Sequence, residues 1–116
     1  MQSTYTAELY RNEKGSTYQC DLTNRIVVRF IDFDVQFKVQ DFAAFRRKVN
    51  NVDIKSMLFD LSDNGDFKVL ESPANQLSRR LTLCEIIQLR DLLNGTRFAL
   101  DLKSMLQETL GELVTI

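Results

Sequence analysis

Few side chains in this sequence have the type and spacing that chemistry needs. There is no histidine, so the commonest general base at neutral pH and the commonest metal ligand are both missing. Asp32 and Asp34 flank Phe33. In an extended chain they could share a face, as acid–base carboxylate pairs do, but a polar turn between two apolar strands is the favoured reading. Asp60, Asp63 and Asp66 surround Asn64-Gly65. That composition resembles a calcium loop, but the EF-hand pattern is not met and a hairpin turn is the favoured reading. Cys20 and Cys84 lie far apart and do not make a zinc set. Two reduced, half-buried thiols are the simpler reading and a single disulfide the other. The four glycines stand alone at 15, 65, 95 and 111, so no phosphate-cradling loop is present. These features predict no catalytic, cofactor or metal-binding residues and a protein that is not an enzyme.

Basic residues offer a different chemistry. Arg25, Arg29, Phe33 and Lys38 fall near predicted strands, and Arg46-Arg47-Lys48 on a predicted helix. Basic groups with an aromatic on an open sheet face are what a single-strand nucleic-acid binder uses. Against that, the chain carries 15 basic and 16 acidic groups, with a pI near 5.4. Residues 1–58 hold nine basic and seven acidic side chains, too small an excess to set a partner. Dedicated duplex binders show a strong basic surplus. The Arg-Arg-Lys run is most simply a solvated helix face.

The elements that would position these residues can be read from period and punctuation. Residues 5–11, 16–22 and 25–31 read as strands, with a turn at Asn12–Gly15 where Gly15 supplies any positive φ. Val35, Phe37 and Val39 alternate with polar residues in a fourth. The period then changes: Phe42, Phe45, Val49 and Val52 form a helical stripe over about 41–51. Residues 56–61 and 67–71 read as strands around Asn64-Gly65, the strongest local hairpin signal. Residues 76–81 make another strand after Pro73. Thr82-x-x-Glu85 has the form of a capping box, and Asn94-Gly95 suits a helix stop. A last helix over 98–113 carries Phe98, Leu100, Leu102, Met105, Leu106, Leu110 and Leu113, with Gly111 near its end, although the alternation of Phe98, Leu100 and Leu102 equally suits the start of a strand.

Two segments align at a constant offset of 44. Phe37–Asn51 pairs with Leu81–Gly95, matching Phe42 with Ile86, Phe45 with Leu89, Val49 with Leu93, Arg46 with Arg90 and Asn50 with Asn94. The reading is a strand-to-helix unit used twice. The fold class is therefore α+β: a mostly antiparallel meander of six or seven strands with two or three helices on one face, and an internal pseudo-repeat. At 116 residues it forms one domain, 1–116.

The stretches Gly15-Ser-Thr-Tyr-Gln-Cys20, Ile26–Phe30, Asp41–Phe45 and Leu81–Leu93 together resemble a family of small bacterial proteins known only as a domain of unknown function. The resemblance spans about residues 8–110 and rests mostly on apolar spacing. It implies that Cys20 opens a Cys-x-x-Cys pair in that family. Here Thr23 stands at the second position, so any metal or redox site built on the pair is lost. The family has no established activity to carry over.

The last helix bears more apolar surface than one core stripe needs. Leu102, Met105, Leu106 and Leu110 are the candidate homodimer residues. The functional expectation is a non-catalytic binding or interaction module whose partner is itself or another protein. The alternative is a single-stranded nucleic-acid binder, similar by fold analogy alone to the PUR and whirly types. With no basic leader, and no apolar run long enough to span a bilayer, the expected location is the cytoplasm, away from membranes.

Overall fold

The computed structural model describes residues 6–20, 22–59 and 67–114, with side chains through 106. Four strands, β1 (Thr6–Arg11), β2 (Gly15–Cys20), β3 (Arg25–Phe30) and β4 (Phe33–Phe37), pair antiparallel in chain order. Helix α1 (Val39–Asn50) and short α2 (Ile54–Phe59) follow. A separate hairpin, β5 (Phe67–Ser72) and β6 (Leu77–Thr82), leads into α3 (Leu83–Val114). The fold is α+β, a four-strand antiparallel meander plus a hairpin, with six strands among the described residues and helices packed against them.

Local chemistry accounts for the turns. Asn12 Oδ1 accepts the backbone N–H groups of Lys14 and Gly15 at 3.0 and 3.1 Å, closing the β1–β2 connection. Gly15 does not take a positive φ. It is glycine because the Arg29 carbonyl of β3 lies where a Cβ would stand. Ile31 does take φ 52°, costly for a β-branched residue. Its N–H is held by the Lys14 carbonyl of the neighbouring turn at 2.9 Å.

The alternation read in β3 and β4 is the buried face: Ile26, Val28, Phe30, Val35 and Phe37 are buried. The stripe of α1 closes over it through Phe42, Phe45 and Val49, and the Phe45 ring stacks on Phe37 at 5.2 Å. Ile86, Leu89, Leu92 and Leu93 of α3 complete the core, each fully buried. Thr82 and Glu85 form the expected reciprocal cap: Glu85 N–H donates to Thr82 Oγ1 at 3.2 Å, and Thr82 N–H to Glu85 Oε1 at 2.8 Å.

Three expectations change. Residues 56–61 were expected in a strand, but residues 54–59 are helical. Asp53 Oδ1 accepts the Ser56 N–H at 2.9 Å as an N-cap, and Met57 is the buried residue. The second hairpin consequently turns at Pro73–Asn75, a 3-10 turn ending at Gln76 with φ 55°; Asn64-Gly65 and the aspartates at 60, 63 and 66 lie outside the described residues. Last, Asn94-Gly95 does not stop a helix, and Gly111 does not end one: α3 runs unbroken for 32 residues. Gly95 faces Tyr10 of β1, whose ring atoms would lie 2.5–2.6 Å from an added Cβ. The glycine is a notch for a ring.

The two aligned segments meet across one contact. Asn50 Nδ2 donates to Asn94 Oδ1 at 3.0 Å, and Asn94 Nδ2 to Asn50 Oδ1 at 3.1 Å. Arg46 Nη1 donates to Asn94 Oδ1 at 3.0 Å, while Arg90 Nη2 donates to the Asn50 carbonyl at 3.2 Å. Exchanging the copies exchanges the two asparagine bonds; the arginines differ, Arg46 reaching the Asn94 side chain and Arg90 the backbone carbonyls of Val49, Asn50 and Val52. Both arginines also share one feature, a buried Nε without a hydrogen-bond partner. The strand pairs correspond as well. Phe30 opposes Phe33 across the β3–β4 turn, and Ser72 opposes Leu77 across the β5–β6 turn. So β3-β4-α1 and β5-β6-α3 are two hairpin–helix units, with β1 and β2 added to the first.

Candidate interaction surfaces

Helix α3 has two halves. The first is held by β1 and β2. Tyr10 Oη donates to the Asp91 carboxylate at 3.3 Å, and that negative charge, with some burial, raises the tyrosine pKa above its ordinary value. Asn12 Nδ2 donates to the Gln88 carbonyl at 2.9 Å and to Asp91 at 3.0 Å. Thr96 Oγ1 donates to the Leu92 carbonyl and sits 2.6 Å from Thr17 Oγ1, both side chains fully buried. With its own proton committed, Thr96 accepts from Thr17.

Beyond Thr96 the helix still packs inward by one face, with Leu100 half-buried against the core. At about 1.5 Å per residue it is roughly 48 Å long, in a molecule whose extents are 62 × 31 × 25 Å. Lys103 Nζ still reaches Gln19 Oε1 at 3.1 Å. The opposite face carries Phe98, Leu102, Met105 and Leu106, exposed by 69, 44, 62 and 55%. Their i, i+4, i+7, i+8 spacing makes one stripe. Three of the four expected dimer residues, Leu102, Met105 and Leu106, therefore lie together on an open surface. The side chain of Leu110 lies outside the described residues. The sequence had grouped Phe98 with this helix but not with its outer stripe.

The nucleic-acid candidates are scattered. Arg25 and Arg29 lie on the sheet face away from the helices, beside Tyr18. The Arg29 guanidinium sits over the Tyr18 ring at 5.1 Å, and Arg11 Nη2 donates to Tyr18 Oη at 3.3 Å. Sequence reasoning missed both Tyr18 and Arg11. Two of these arginines have a carboxylate: Glu8 for Arg11 at 2.7 Å, Asp34 for Arg29 at 3.7 Å.

Phe33 is not on this face. Directly opposed to Phe30, it points inward with it, 8% exposed and 5.8 Å from the Phe30 ring. It cannot stack on a base. Lys38 is exposed at the start of α1. Arg46 is tied to Asn94, and Lys48 Nζ donates to the Glu71 carbonyl at 2.6 Å; Arg47 alone of that run is exposed without a hydrogen bond among the described residues. Asp32 and Asp34 are exposed, with Asp34 paired to Arg29.

The two cysteines are not joined in a disulfide; Cys20 is half-buried, and Cys84 is exposed rather than half-buried. Among the described residues, no three acidic or cysteine side chains gather as a metal site, and no helix is long and apolar enough to cross a membrane. No protein-family model, curated protein or solved structure matches this chain.

Proposed function

We propose that this protein is a non-catalytic interaction module that works as a homodimer through the outer stripe of α3. One observation carries the reading: Phe98, Leu102, Met105 and Leu106 stand exposed on one face of a helix whose other face packs the core. Monomeric proteins rarely leave such a contiguous apolar strip in water. A second copy covers it economically, because a two-fold axis lets the same stripe serve both partners. Sedimentation at micromolar concentration is the test. The wild type is expected to be a dimer, and Leu106→Glu a folded monomer with an unchanged circular-dichroism spectrum. A folded wild-type monomer at that concentration refutes the proposal.

A second reading, a single-stranded nucleic-acid binder, is supported by the cluster of Tyr18 with Arg11, Arg25 and Arg29. The carboxylates on two of these arginines weigh against it, since phosphate binding would have to displace them. Anisotropy of labelled single-stranded DNA and RNA separates the readings. Salt-sensitive binding lost in Arg25→Glu/Arg29→Glu favours the second, and no binding at low salt removes it.

A further inference from the structure

The two hairpin–helix units differ at one edge. In the first, β2 lies against β3, pairing Ser16 with Arg29, Tyr18 with Val27 and Cys20 with Arg25. The strand β5 holds the place of β3 in the second unit. Aligning the turn-closing pairs Phe30–Phe33 and Ser72–Leu77 sets Arg25, Val27 and Arg29 against Phe67, Val69 and Glu71. In an antiparallel ladder, alternate residues turn their backbone N–H and C=O groups to opposite edges. With Ser72–Leu77 as the bonded pair beside the turn, Phe67, Val69 and Glu71 present theirs away from β6. The Glu71 carbonyl agrees with this: it accepts from the Lys48 ammonium of α1 at 2.6 Å. Among the described residues, no strand takes the place beside β5 that β2 takes beside β3.

We infer that this edge of β5 binds an extended peptide segment, added antiparallel as a further strand, in which outward apolar residues alternate with inward acidic ones. Backbone bonds to Phe67 and Val69 supply affinity, as in other strand additions. The alternation follows from the two faces. On the outer face Phe67 and Val69 are exposed by 37 and 54%, so the added strand's outward side chains meet apolar surface. The inner face presents exposed Lys68, and Lys48 stands at the edge itself. Neither lysine has a carboxylate within ion-pair distance among the described residues. A groove of about 170 Å³ between α1 and the end of β5, lined by Ala44, Phe45, Lys48 and Ser72 and also by the carboxylates Asp41 and Glu71, gives the inward side chains room beside Lys48. This site is distinct from the α3 stripe and does not depend on dimerisation there.

The probe is a fluorescein-labelled, amidated octapeptide of alternating valine and glutamate, titrated by anisotropy with the full chain. Saturable binding is expected. It should weaken at least about tenfold when glutamate is replaced by lysine, and vanish when alternate amides on the pairing edge are N-methylated. Val69→Pro removes an outward N–H while leaving the β6-facing bonds of β5, since edge strands accept proline. It should abolish binding with the fold kept, as checked by circular dichroism. If that variant does not fold, Lys48→Glu/Lys68→Glu serves instead and should reverse the preference toward the valine–lysine peptide. Absence of binding to the wild type, or equal binding by Val69→Pro, overturns the inference. So does an edge that only self-pairs, seen as a Val69→Pro change in oligomeric state without any peptide binding.

Discussion

The two halves of α3 have similar composition and helical period, yet opposite fates. In residues 83–96, Ile86, Leu89, Leu92, Leu93 and Thr96 are fully buried; in residues 97–106, Phe98, Leu102, Met105 and Leu106 are largely exposed. The difference lies in what stands opposite. The first half has β1 and β2 against it, through Tyr10, Asn12 and Thr17. The second half keeps Leu100 and Lys103 toward the core and β2 but turns Phe98, Leu102, Met105 and Leu106 to the opposite face, which no described element covers. An apolar stripe in a sequence says that something must cover it; whether that cover is the same chain or another is a matter of where the rest of the chain goes.

Truncation gives the sharpest contrast. Leu92→Ala should cost about 2–5 kcal/mol in urea unfolding, as full burial of a leucine implies. Leu102→Ala, measured at a dilution where the chain is monomeric, should stay within about 0.5 kcal/mol. Equal losses at the two sites would erase the distinction between the halves.

The junction between them makes the next test. Helix propensity alone favours Gly95→Ala by roughly 1 kcal/mol. The Tyr10 ring occupies the space of the new methyl group, and overpacking costs about 1–3 kcal/mol. A net loss of up to about 2 kcal/mol is therefore expected in thermal unfolding. In a Tyr10→Ala background the sign should reverse, because the notch then has nothing to accommodate. A stabilising Gly95→Ala in the wild-type background would mean that the first half is not clamped by β1.

The smallest effect is electrostatic. The Asp91 carboxylate raises the Tyr10 pKa in the folded state. The folded chain thus holds this proton more tightly than the unfolded one. That contribution is complete below the ordinary tyrosine value near 10, and is lost as pH rises through the raised folded value. Stability should fall more steeply with alkaline pH in the wild type than in Tyr10→Phe. Identical slopes would mean that the Tyr10–Asp91 contact does not form in solution.

Periodicity made much of the core legible. The alternation of Ile26, Val28 and Phe30 and the stripe of Phe42, Phe45 and Val49 each marked a buried face, because strand and helix periods are properties of the backbone itself. The Thr82–Glu85 cap was legible for the same reason: its partners are three residues apart. The failures have a common cause. Asn94-Gly95 has the same local form whether it ends a helix or admits a ring from β1, 85 positions away. The run at residues 56–61 is short enough to suit strand or helix, and the decision fell to the Asp53 cap. Phe33 was placed on the open face because β4 was expected to begin at Val35. A two-residue turn moved the strand start to Phe33 and turned that ring inward.

By itself the sequence determined which faces are apolar, where most strands lie, and that residues 37–51 and 81–95 repeat one pattern. These are local properties, set by side-chain period and capping within a few residues. Only the tertiary structure decided that the repeats meet through Asn50 and Asn94, that Gly95 receives Tyr10, that among the described residues the edge of β5 lacks the strand β3 has, and that Phe98, Leu102, Met105 and Leu106 face outward. Each depends on which distant segment arrives at a given surface, and a period along one chain holds no information about what lies across from it.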